Sequence, residues 1–275
     1  MNEPELTPRV IAEGLDRPNG PAFDPDGHLW CSVAGGLVRV DTATHERTRI
    51  DTGGAPAGIA IDAYGRIWFA DSGQNAIRRY DPDDRKLVTI VEHVDGEPLN
   101  KPNDLAFDAR GNVLFTCAEY VCCLQPDDTI EQVANELHRP SGLAVLHGGE
   151  TLILAEAGRQ RLWRGEWDDD RCVWTHEVTW SQNVMGDPGP GGMAMSIDGR
   201  MYVAVYGSQR IMALNADGLI VETFDLPGNN PTNCAFDPYG RLGLVVSEAE
   251  KGQLLSIPGL GPGVQLFDGG SAWAL

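Results

Sequence analysis

The chain alternates short apolar runs with tight turns, and a unit of two runs and one turn recurs six times. Its clearest copy is residues 101–116, which read KPNDLAFDARGNVLFT. Each copy opens with a proline, a variable residue and a small or polar residue. We call the six variable residues the marker residues: they are Asn19, Ala57, Asn103, Ser141, Gly191 and Thr232, and they are 38, 46, 38, 50 and 41 residues apart. A period of about 40–50 residues is typical of a propeller or a solenoid.

Each unit predicts two antiparallel strands joined by a tight turn. Four of the turns read Asp-x-x-Gly, beginning at Asp24, Asp62, Asp108 and Asp237, and both residue types favour a reversal of the chain. The flanking runs are short, aromatic and β-branched, which favours strand. A third run and a fourth, more polar one follow, and four antiparallel strands make one propeller blade. The chain is therefore predicted to be an all-β, six-bladed propeller with the first strand of each blade innermost.

The two ends of the chain predict how the ring closes. Residues 9–13 (RVIAE) precede the first copy and resemble an outermost strand, so we expect them to complete the sixth blade. No stretch shows sustained helical periodicity, and 33 Gly and 18 Pro fit a turn-rich chain. Two β-sandwiches are the alternative, but they predict no single period. We expect one propeller domain over residues 1–275.

Charge and cysteine content narrow the partners and the compartment. A net charge of −19, with 21 basic and 40 acidic residues, argues against nucleic acid and anionic membrane, which both need clustered Lys and Arg. The first residues show no secretory signal, and no run approaches the ~18 apolar residues of a membrane span. The six cysteines form no C-x-x-C pair, so reduced thiols in a cytoplasm are expected. A small molecule is the expected partner, and the oligomeric state stays open.

The marker residues predict the position of a site. Innermost strands line the axial channel of a propeller, so residues at their starts are expected to ring one mouth. Function is expected where the copies differ, and Asn103-Asp104 interrupts the Pro-x-Gly form of the first copies. Two alternatives remain. Polar marker residues can simply bond the adjacent turn, and Lys101 and Asp104 can form an exposed ion pair.

Three of the copies resemble a known family. The stretches PNGPAFD from Pro18, KPNDLAFD from Lys101 and NPTNCAFD from Asn230 are similar to repeats of the regucalcin/gluconolactonase family, and the resemblance covers nearly the whole chain. It implies a six-bladed propeller that hydrolyses a sugar lactone or a related ester. It also implies a divalent cation, Ca²⁺ or similar, in the axial channel.

Carried over by position, the resemblance assigns roles to several residues. Asn19, Ser141 and Gly191 stand where the family usually has Glu, Asn and Asp as metal ligands. Asn103 and Asp104 match the family, Lys101 stands where a substrate-binding Arg can occur, and Glu119 resembles a Glu that contacts sugar hydroxyls. Because carboxylates supply most of the affinity for Ca²⁺, their replacement by Asn19 and Gly191 predicts weak binding, with Asn19 and Asn103 as the remaining candidate ligands.

Three functions follow. The first is a lactonase-like hydrolase, with Asp104 as the base that activates water and with Lys101, Asn103, Glu119 and Ser141 binding the substrate. The second is a non-hydrolytic reaction in the same pocket, of an isomerase, cyclase or lyase type. The third is a non-catalytic propeller that binds a small molecule or a protein. A serine hydrolase is not indicated, because the chain has no G-x-S-x-G motif.

Overall fold

A computed structural model describes residues 6–146 and 148–274. The first five residues, on which the prediction of no secretory signal partly rests, lie outside this part of the chain. The described residues form six sheets of four antiparallel strands and one two-stranded hairpin. A single turn of 3₁₀ helix, Ala157–Arg159, is the only helical element among them. The predicted all-β class and four strands per blade are confirmed.

Each blade uses consecutive strands, with the innermost strand first. Blade 1 contains β2 (Asn19–Phe23), β3 (Leu29–Val33), β4 (Gly36–Val40) and β5 (Arg47–Asp51), and blade 2 contains β6 (Pro56–Ile61), β7 (Ile67–Asp71), β8 (Ala76–Asp81) and β9 (Lys86–Val91). A hairpin of β10 (His93–Val94) and β11 (Glu97–Pro98) precedes blade 3, which contains β12 (Leu105–Phe107), β13 (Val113–Thr116), β14 (Val121–Leu124) and β15 (Ile130–Ala134).

The second half of the ring follows the same order. Blade 4 contains β16 (Pro140–Val145), β17 (Thr151–Glu156), β18 (Arg161–Asp168) and β19 (Val173–Ser181), and blade 5 contains β20 (Gly189–Met195), β21 (Met201–Tyr206), β22 (Arg210–Leu214) and β23 (Ile220–Asp225). Blade 6 contains β24 (Pro231–Phe236), β25 (Leu244–Glu248), β26 (Gln253–Ile257) and, as its outermost strand, β1 (Arg9–Ala12).

The ring closes as the sequence predicts. Each innermost strand contacts the innermost strand of the next blade, and β24 of blade 6 contacts β2 of blade 1. The N-terminal strand β1 pairs antiparallel with β26, where Val10 lies opposite Leu255. A six-bladed propeller whose last blade is completed by the N-terminus is therefore confirmed, and the two-sandwich alternative is wrong.

The hydrophobic core consists of six clusters, one between each pair of neighbouring blades. Successive side chains of a strand point to opposite faces of its sheet, so the middle strands of a blade feed two clusters. On β14, for example, Cys122 packs against blade 2 and Cys123 against blade 4, as their adjacent positions predict. Because both faces are covered, the second strand of each blade is buried along almost its whole length, as in Val113–Thr116 of β13.

The Asp-x-x-Gly turns lie at one end of the ring. The glycine N–H of each turn donates to the carbonyl of its aspartate over 2.9–3.1 Å, as in Gly27 to Asp24 and Gly111 to Asp108. The side chains of Asp24, Asp62 and Asp108 also accept bonds from buried indoles. Trp68 Nε1, for example, donates to Asp62 Oδ2 over 2.8 Å. These residues therefore fix the turns and also pin them to the core, and we call this end the turn face.

The segment after β26 lies across the turn face, which the sequence did not predict. Its backbone pairs with blade 5, where Val264 N donates to Met195 O over 2.9 Å, and with blade 2, where Ala63 N donates to Asp268 O over 2.9 Å. Trp273 Nε1 then donates to Gly111 O of blade 3 over 2.7 Å. The indole of Trp273 also packs against Trp68 with ring centroids 4.9 Å apart. The contacts of this segment in residues 258–274 therefore lie at the turn face, at the opposite end of the channel from the marker residues.

No helix in residues 6–146 and 148–274 is long and apolar enough to cross a membrane. The cytoplasmic location stays a prediction.

Candidate active site

The marker residues lie where the chain enters each innermost strand, at the end of the channel away from the turn face. Neighbouring blades are hydrogen-bonded to one another at this level. Gly58 N donates to Asn103 O over 2.8 Å, and Thr232 Oγ1 donates to Pro18 O over 2.8 Å, which joins blade 6 to blade 1. The marker residues therefore form a ring, and we call the opening inside it the mouth.

The residues that follow the markers form the floor of the mouth. Four of them are glycines, Gly20, Gly58, Gly142 and Gly192, and the other two are Asp104 and Asn233. The glycines are required by close approach between blades. A Cβ atom at Gly142 would lie 2.2 Å from Gly191 O, and one at Gly20 would lie 2.7 Å from Ala57 O. Only blades 3 and 6 therefore place a side chain at this level.

Asp104 and Asn233 meet across the channel axis, because blades 3 and 6 are opposite each other in the ring. Asn233 Nδ2 donates to Asp104 Oδ2 over 3.3 Å. Each side chain fills space that a facing glycine leaves free. A Cβ at Gly58 would lie 1.8 Å from Asp104 Oδ1, and a Cβ at Gly192 would lie 1.8 Å from Asn233 Oδ1. The pair therefore closes the channel below the mouth.

The backbone fixes the orientation of both side chains. Asn233 Oδ1 accepts a hydrogen bond from Cys234 N over 2.8 Å, so its Nδ2 is the group that faces Asp104. Asp104 Oδ1 accepts from Leu105 N over 3.0 Å. Asp104 N donates to Thr116 Oγ1 over 3.0 Å, and that hydroxyl donates to Ser141 O over 2.8 Å. Asp104 is thus held by its own blade and by the hydroxyl that joins blade 3 to blade 4.

Burial sets the proton affinity of this carboxyl. Asp104 is only 7% exposed, and removal from water disfavours its charged form. Desolvation raises the pKa of Asp104 from 3.8 to about 7, against the opposing effect of hydrogen bonds from Leu105, Asn233 and Leu143. A carboxyl with this pKa exchanges its proton near neutral pH, which is what a general acid or base requires.

The other predicted residues of blade 3 lie on the rim of the mouth. Lys101 and Asn103 are exposed, and Lys101 N donates to Asn75 Oδ1 of blade 2 over 3.0 Å. Glu119 is also exposed, in the loop between β13 and β14, where its backbone carbonyl accepts from Leu137 N over 3.0 Å. The alternative of an exposed ion pair between Lys101 and Asp104 is wrong, because Asp104 is buried and bonded to Asn233.

Three rim cations share one backbone position. Arg17, Lys101 and Arg139 each precede the opening proline of a copy, and each has a positive φ, of 51°, 49° and 54° respectively. Non-glycine residues adopt this region rarely and at some cost. All three side chains are exposed, with Arg17 Nε 3.4 Å from Asp16 Oδ1. The rim of the mouth therefore carries cationic side chains from blades 1, 3 and 4, of which Arg17 is paired with Asp16.

Asn19 and Ser141 are half-buried, and each side chain already bonds to the backbone. Asn19 Oδ1 accepts a hydrogen bond from Gly20 N over 2.7 Å. The alternative prediction, that a polar marker residue bonds the adjacent turn, is therefore correct for this oxygen. That bond uses the oxygen of the amide and does not involve its donor, Nδ2. Ser141 Oγ donates to Pro190 O over 2.5 Å, which links blade 4 to blade 5.

The donor set at the mouth does not fit a hard divalent cation. Such ions bind through several oxygens, with carboxylates providing most of the affinity, whereas the amide oxygen of Asn19 and the hydroxyl of Ser141 already serve other partners. Gly191 offers no side chain. Its Cβ direction is closed as well, since a Cβ there would lie 2.4 Å from Thr232 O. In the described part of the chain, the group of acids close enough to share an ion is Asp168, Asp169 and Asp170. It lies at the end of β18 and in the turn that follows, where Asp169 and Asp170 pair with Arg110.

Sequence reasoning missed Asn233 although the signal was present. Asp104 stands out because it occupies a Pro-x-Gly unit that lacks the glycine. Pro231-Thr232-Asn233 departs from that unit in the same way. Comparing the residue after each marker across the six copies would have identified both members of the axial pair.

Known proteins resemble this chain in sequence or in fold. The chain is 27% identical over 212 residues to a gluconolactonase of Zymomonas mobilis, an alignment that covers 67% of this chain and 58% of that protein. It is 25% identical over 240 residues to lactonase drp35 of Staphylococcus haemolyticus, covering 81% of this chain and 73% of that protein. A solved structure of a calcium-binding protein, regucalcin, from Agrobacterium tumefaciens superposes with a TM-score of 0.80 at 18% identity, covering 92% and 93% of the two chains.

The family itself is identified by its sequence model. The model described as SMP-30/gluconolactonase/LRE-like region matches residues 83–249, which is more than half of the 275 residues. The match includes Asp104 and Asn233. The chain therefore belongs to the SMP-30/gluconolactonase/LRE-like family.

Proposed function

We propose that this protein is a lactonase-like enzyme that hydrolyses a sugar-type lactone or a related cyclic ester in its axial mouth. The observation that carries the proposal is the buried carboxyl of Asp104, whose pKa is raised to about 7 at the floor of the mouth. The gluconolactonase and lactonase names of the relatives support the same reaction class. The segment that lies across the turn face supports entry of the substrate from the marker end.

Asp104 acts as the general base in this proposal. Its carboxylate takes a proton from a water molecule as that water attacks the ring carbonyl of the lactone, and a tetrahedral intermediate forms. The protonated Asp104 then returns the proton to the ring oxygen as the ring C–O bond breaks. The product is an open-chain hydroxy acid and the carboxylate is regenerated. A base with a pKa close to the working pH is the most effective one for this transfer.

Polar groups of the rim orient the lactone and stabilise the developing oxyanion. Asn19 Nδ2 is the donor of an amide whose oxygen is held by Gly20 N. The amide of Asn103 and the ammonium of Lys101 lie on the exposed rim and supply a second donor and a positive charge. Donors fixed before the reaction stabilise charge as it develops. Glu119 and Ser141 are assigned to the hydroxyls of the substrate.

The reaction is assigned to the protein's own groups. A divalent cation at Asn19 and Asn103 stays a prediction of the family resemblance, and the mouth gives it no marker carboxylate to bind. For the same reason we keep a non-hydrolytic reaction of the isomerase, cyclase or lyase type as the second candidate. Asp104 can move a proton in either direction near pH 7, which such reactions also require. A propeller used only for binding is the third candidate.

The test is turnover of a panel of aldonolactones by the wild type and Asp104→Asn, followed by NMR of the substrate and product. We expect ring opening to a hydroxy acid by the wild type, and a rate about 10²–10⁴-fold lower in the variant with unchanged circular dichroism. Isomerised or dehydrated products would favour the second candidate. Equal rates in the wild type and the variant would remove Asp104 from the mechanism, and no turnover of any lactone would contradict the proposed function.

A further inference from the structure

Two buried cysteines from neighbouring blades lie against each other, away from the mouth. Cys123 is on β14 of blade 3, and Cys172 is in the β18–β19 turn of blade 4. Their Sγ atoms are 2.7 Å apart. A disulfide bond is about 2.05 Å long, so an approach of about 0.7 Å separates this contact from a bond.

The surroundings of the pair make the pairing selective. Both cysteines belong to the cluster between blades 3 and 4, where Trp167 and Trp174 also pack. The other four cysteines lie in other clusters or on other interfaces: Cys117 and Cys122 are between blades 2 and 3, Cys31 is between blades 6 and 1, and Cys234 is between blades 5 and 6. Pleating alone sends Cys122 to the opposite face of the strand from Cys123. Among the described residues, Cys123 and Cys172 are the thiol pair joined by a sulfur–sulfur contact, although Cys117 and Cys122 share the cluster between blades 2 and 3.

We propose that Cys123 and Cys172 form a disulfide that covalently joins blades 3 and 4 when the protein meets a peroxide or a comparable two-electron oxidant. One thiolate attacks the peroxide oxygen, which gives a sulfenic acid and releases water. The second thiol attacks that sulfur, an S–S bond forms and a second water leaves. Two S–H bonds and one O–O bond are broken, so the two thiols are oxidised by two electrons and the peroxide is reduced by two.

The environment determines when this bond forms. Both side chains are buried, and the contact with Cys172, together with burial, raises the pKa of the Cys123 thiol. Because the thiolate is the reactive species, oxidation of the folded protein is expected to be slow and to favour small oxidants. Oxidation during refolding meets no such barrier. The bond closes a loop between positions 49 residues apart, and loops of this length restrict the unfolded chain strongly.

The experiment counts thiols in the full-length protein. The protein is treated with hydrogen peroxide, in one arm as the folded protein and in the other during refolding, and it is then denatured with an excess of alkylating agent. In the untreated control, which is denatured and alkylated without peroxide, all six cysteines are expected to be labelled. We expect two labels fewer after oxidation, a non-reducing peptide map that joins the peptides of Cys123 and Cys172, and an unfolding midpoint several °C higher than that of the reduced protein.

Two matched variants distinguish this link from general oxidation. Cys122→Ala removes the adjacent thiol of the same strand and is expected to keep the link and the rise in midpoint. Cys172→Ala removes the partner and is expected to keep all five remaining labels after oxidation. Six labels in both arms of the wild-type experiment would overturn the proposal. A link that includes another cysteine, or loss of labels that persists in Cys172→Ala, would overturn it as well.

Discussion

Asn233 Nδ2 donates to Asp104 Oδ2 across the axis of the propeller, over 3.3 Å and from the opposite blade. The contact joins two residues that are 129 positions apart, and it is possible because the four other residues of this level are glycines. An amide donor that faces a buried carboxylate stabilises its charged form. Asn233 is therefore a positioning residue that also lowers the proton affinity of Asp104.

Asn233→Asp tests that relationship. The variant keeps an oxygen for the Cys234 N–H but replaces the Nδ2 donor with a second carboxyl. Two carboxyls in contact cannot both ionise easily, so one of their pKa values rises. We expect the inflection of the pH–rate profile for hydrolysis to shift upward by about one pH unit or more. Asn215→Asp, the same change in the β22–β23 turn of blade 5, is the control and should leave the profile unchanged, and an unshifted profile in Asn233→Asp would contradict the assignment.

Gly58→Ala tests the fit of Asp104 against blade 2. The added Cβ would lie 1.8 Å from Asp104 Oδ1, so the carboxyl must move. Misplacement of a catalytic group by about 1 Å can cost about 100-fold in rate. Gly36→Ala is the control, because its Cβ would lie 2.4 Å from Ile50 O in blade 1, away from Asp104. Both variants are expected to lose about 1–3 kcal/mol of stability, measured by urea unfolding, but only Gly58→Ala should lose turnover.

Gly191→Asp tests whether a family-type cation site can be restored. The new Cβ would lie 2.4 Å from Thr232 O, so the carboxylate cannot be accommodated without moving the blade 6 backbone. We expect a loss of about 1–3 kcal/mol in stability and no gain in Ca²⁺ affinity by titration calorimetry. Asn19→Glu, which adds a carboxylate at a half-buried marker residue, is the comparison variant in the same titration. A Ca²⁺ affinity of Gly191→Asp at least about ten-fold higher than that of the wild type would correspond to a gain of about 1.4 kcal/mol. That result would contradict the expectation, because it would show that the mouth accommodates the new carboxylate.

The raised pKa of Asp104 also predicts how stability depends on pH. The folded state holds the proton up to about pH 7, whereas a carboxyl of ordinary pKa releases it near 3.8. Between these values the folded state binds more protons than the unfolded state, so the free energy of unfolding falls as the pH rises. Asp104→Asn has no carboxyl at this position, so its free energy of unfolding lacks this decrease. Its unfolding midpoint relative to the wild type is expected to be higher at pH 8 than at pH 5, and a difference that is the same at both would contradict the shift.

The fold could be predicted from the sequence because its determinants are local and repeated. The Asp-x-x-Gly turns predict the strand pairs, and the period of the marker residues predicts the number of blades. Blade 6 has only three strands from the C-terminal part of the chain, so the N-terminal strand is expected to be its fourth. The segment after β26 was missed because it belongs to no repeat. Its position depends on single contacts such as that of Trp273 with Trp68.

The candidate site could be proposed from the sequence only where it interrupts the repeat. Asp104 is recognisable in the sequence as an exception to the Pro-x-Gly pattern. The sequence does not show that its side chain is buried, so an exposed ion pair with Lys101 remained an alternative. The Cys123–Cys172 contact was missed for a different reason. Spacing along the chain does not show that a strand of blade 3 and a turn of blade 4 share one interface.

The measurement that tests the central claim most directly is the pH dependence of kcat/KM for lactone hydrolysis by the wild type and Asp104→Asn. A base must lose its proton to act, so the wild-type rate is expected to rise with pH through an inflection near the pKa of about 7 that burial gives Asp104. In Asp104→Asn the residual rate should lack that inflection. A wild-type profile without an inflection between about pH 6 and 8, or the same inflection in the variant, would contradict the assignment of Asp104 as the base.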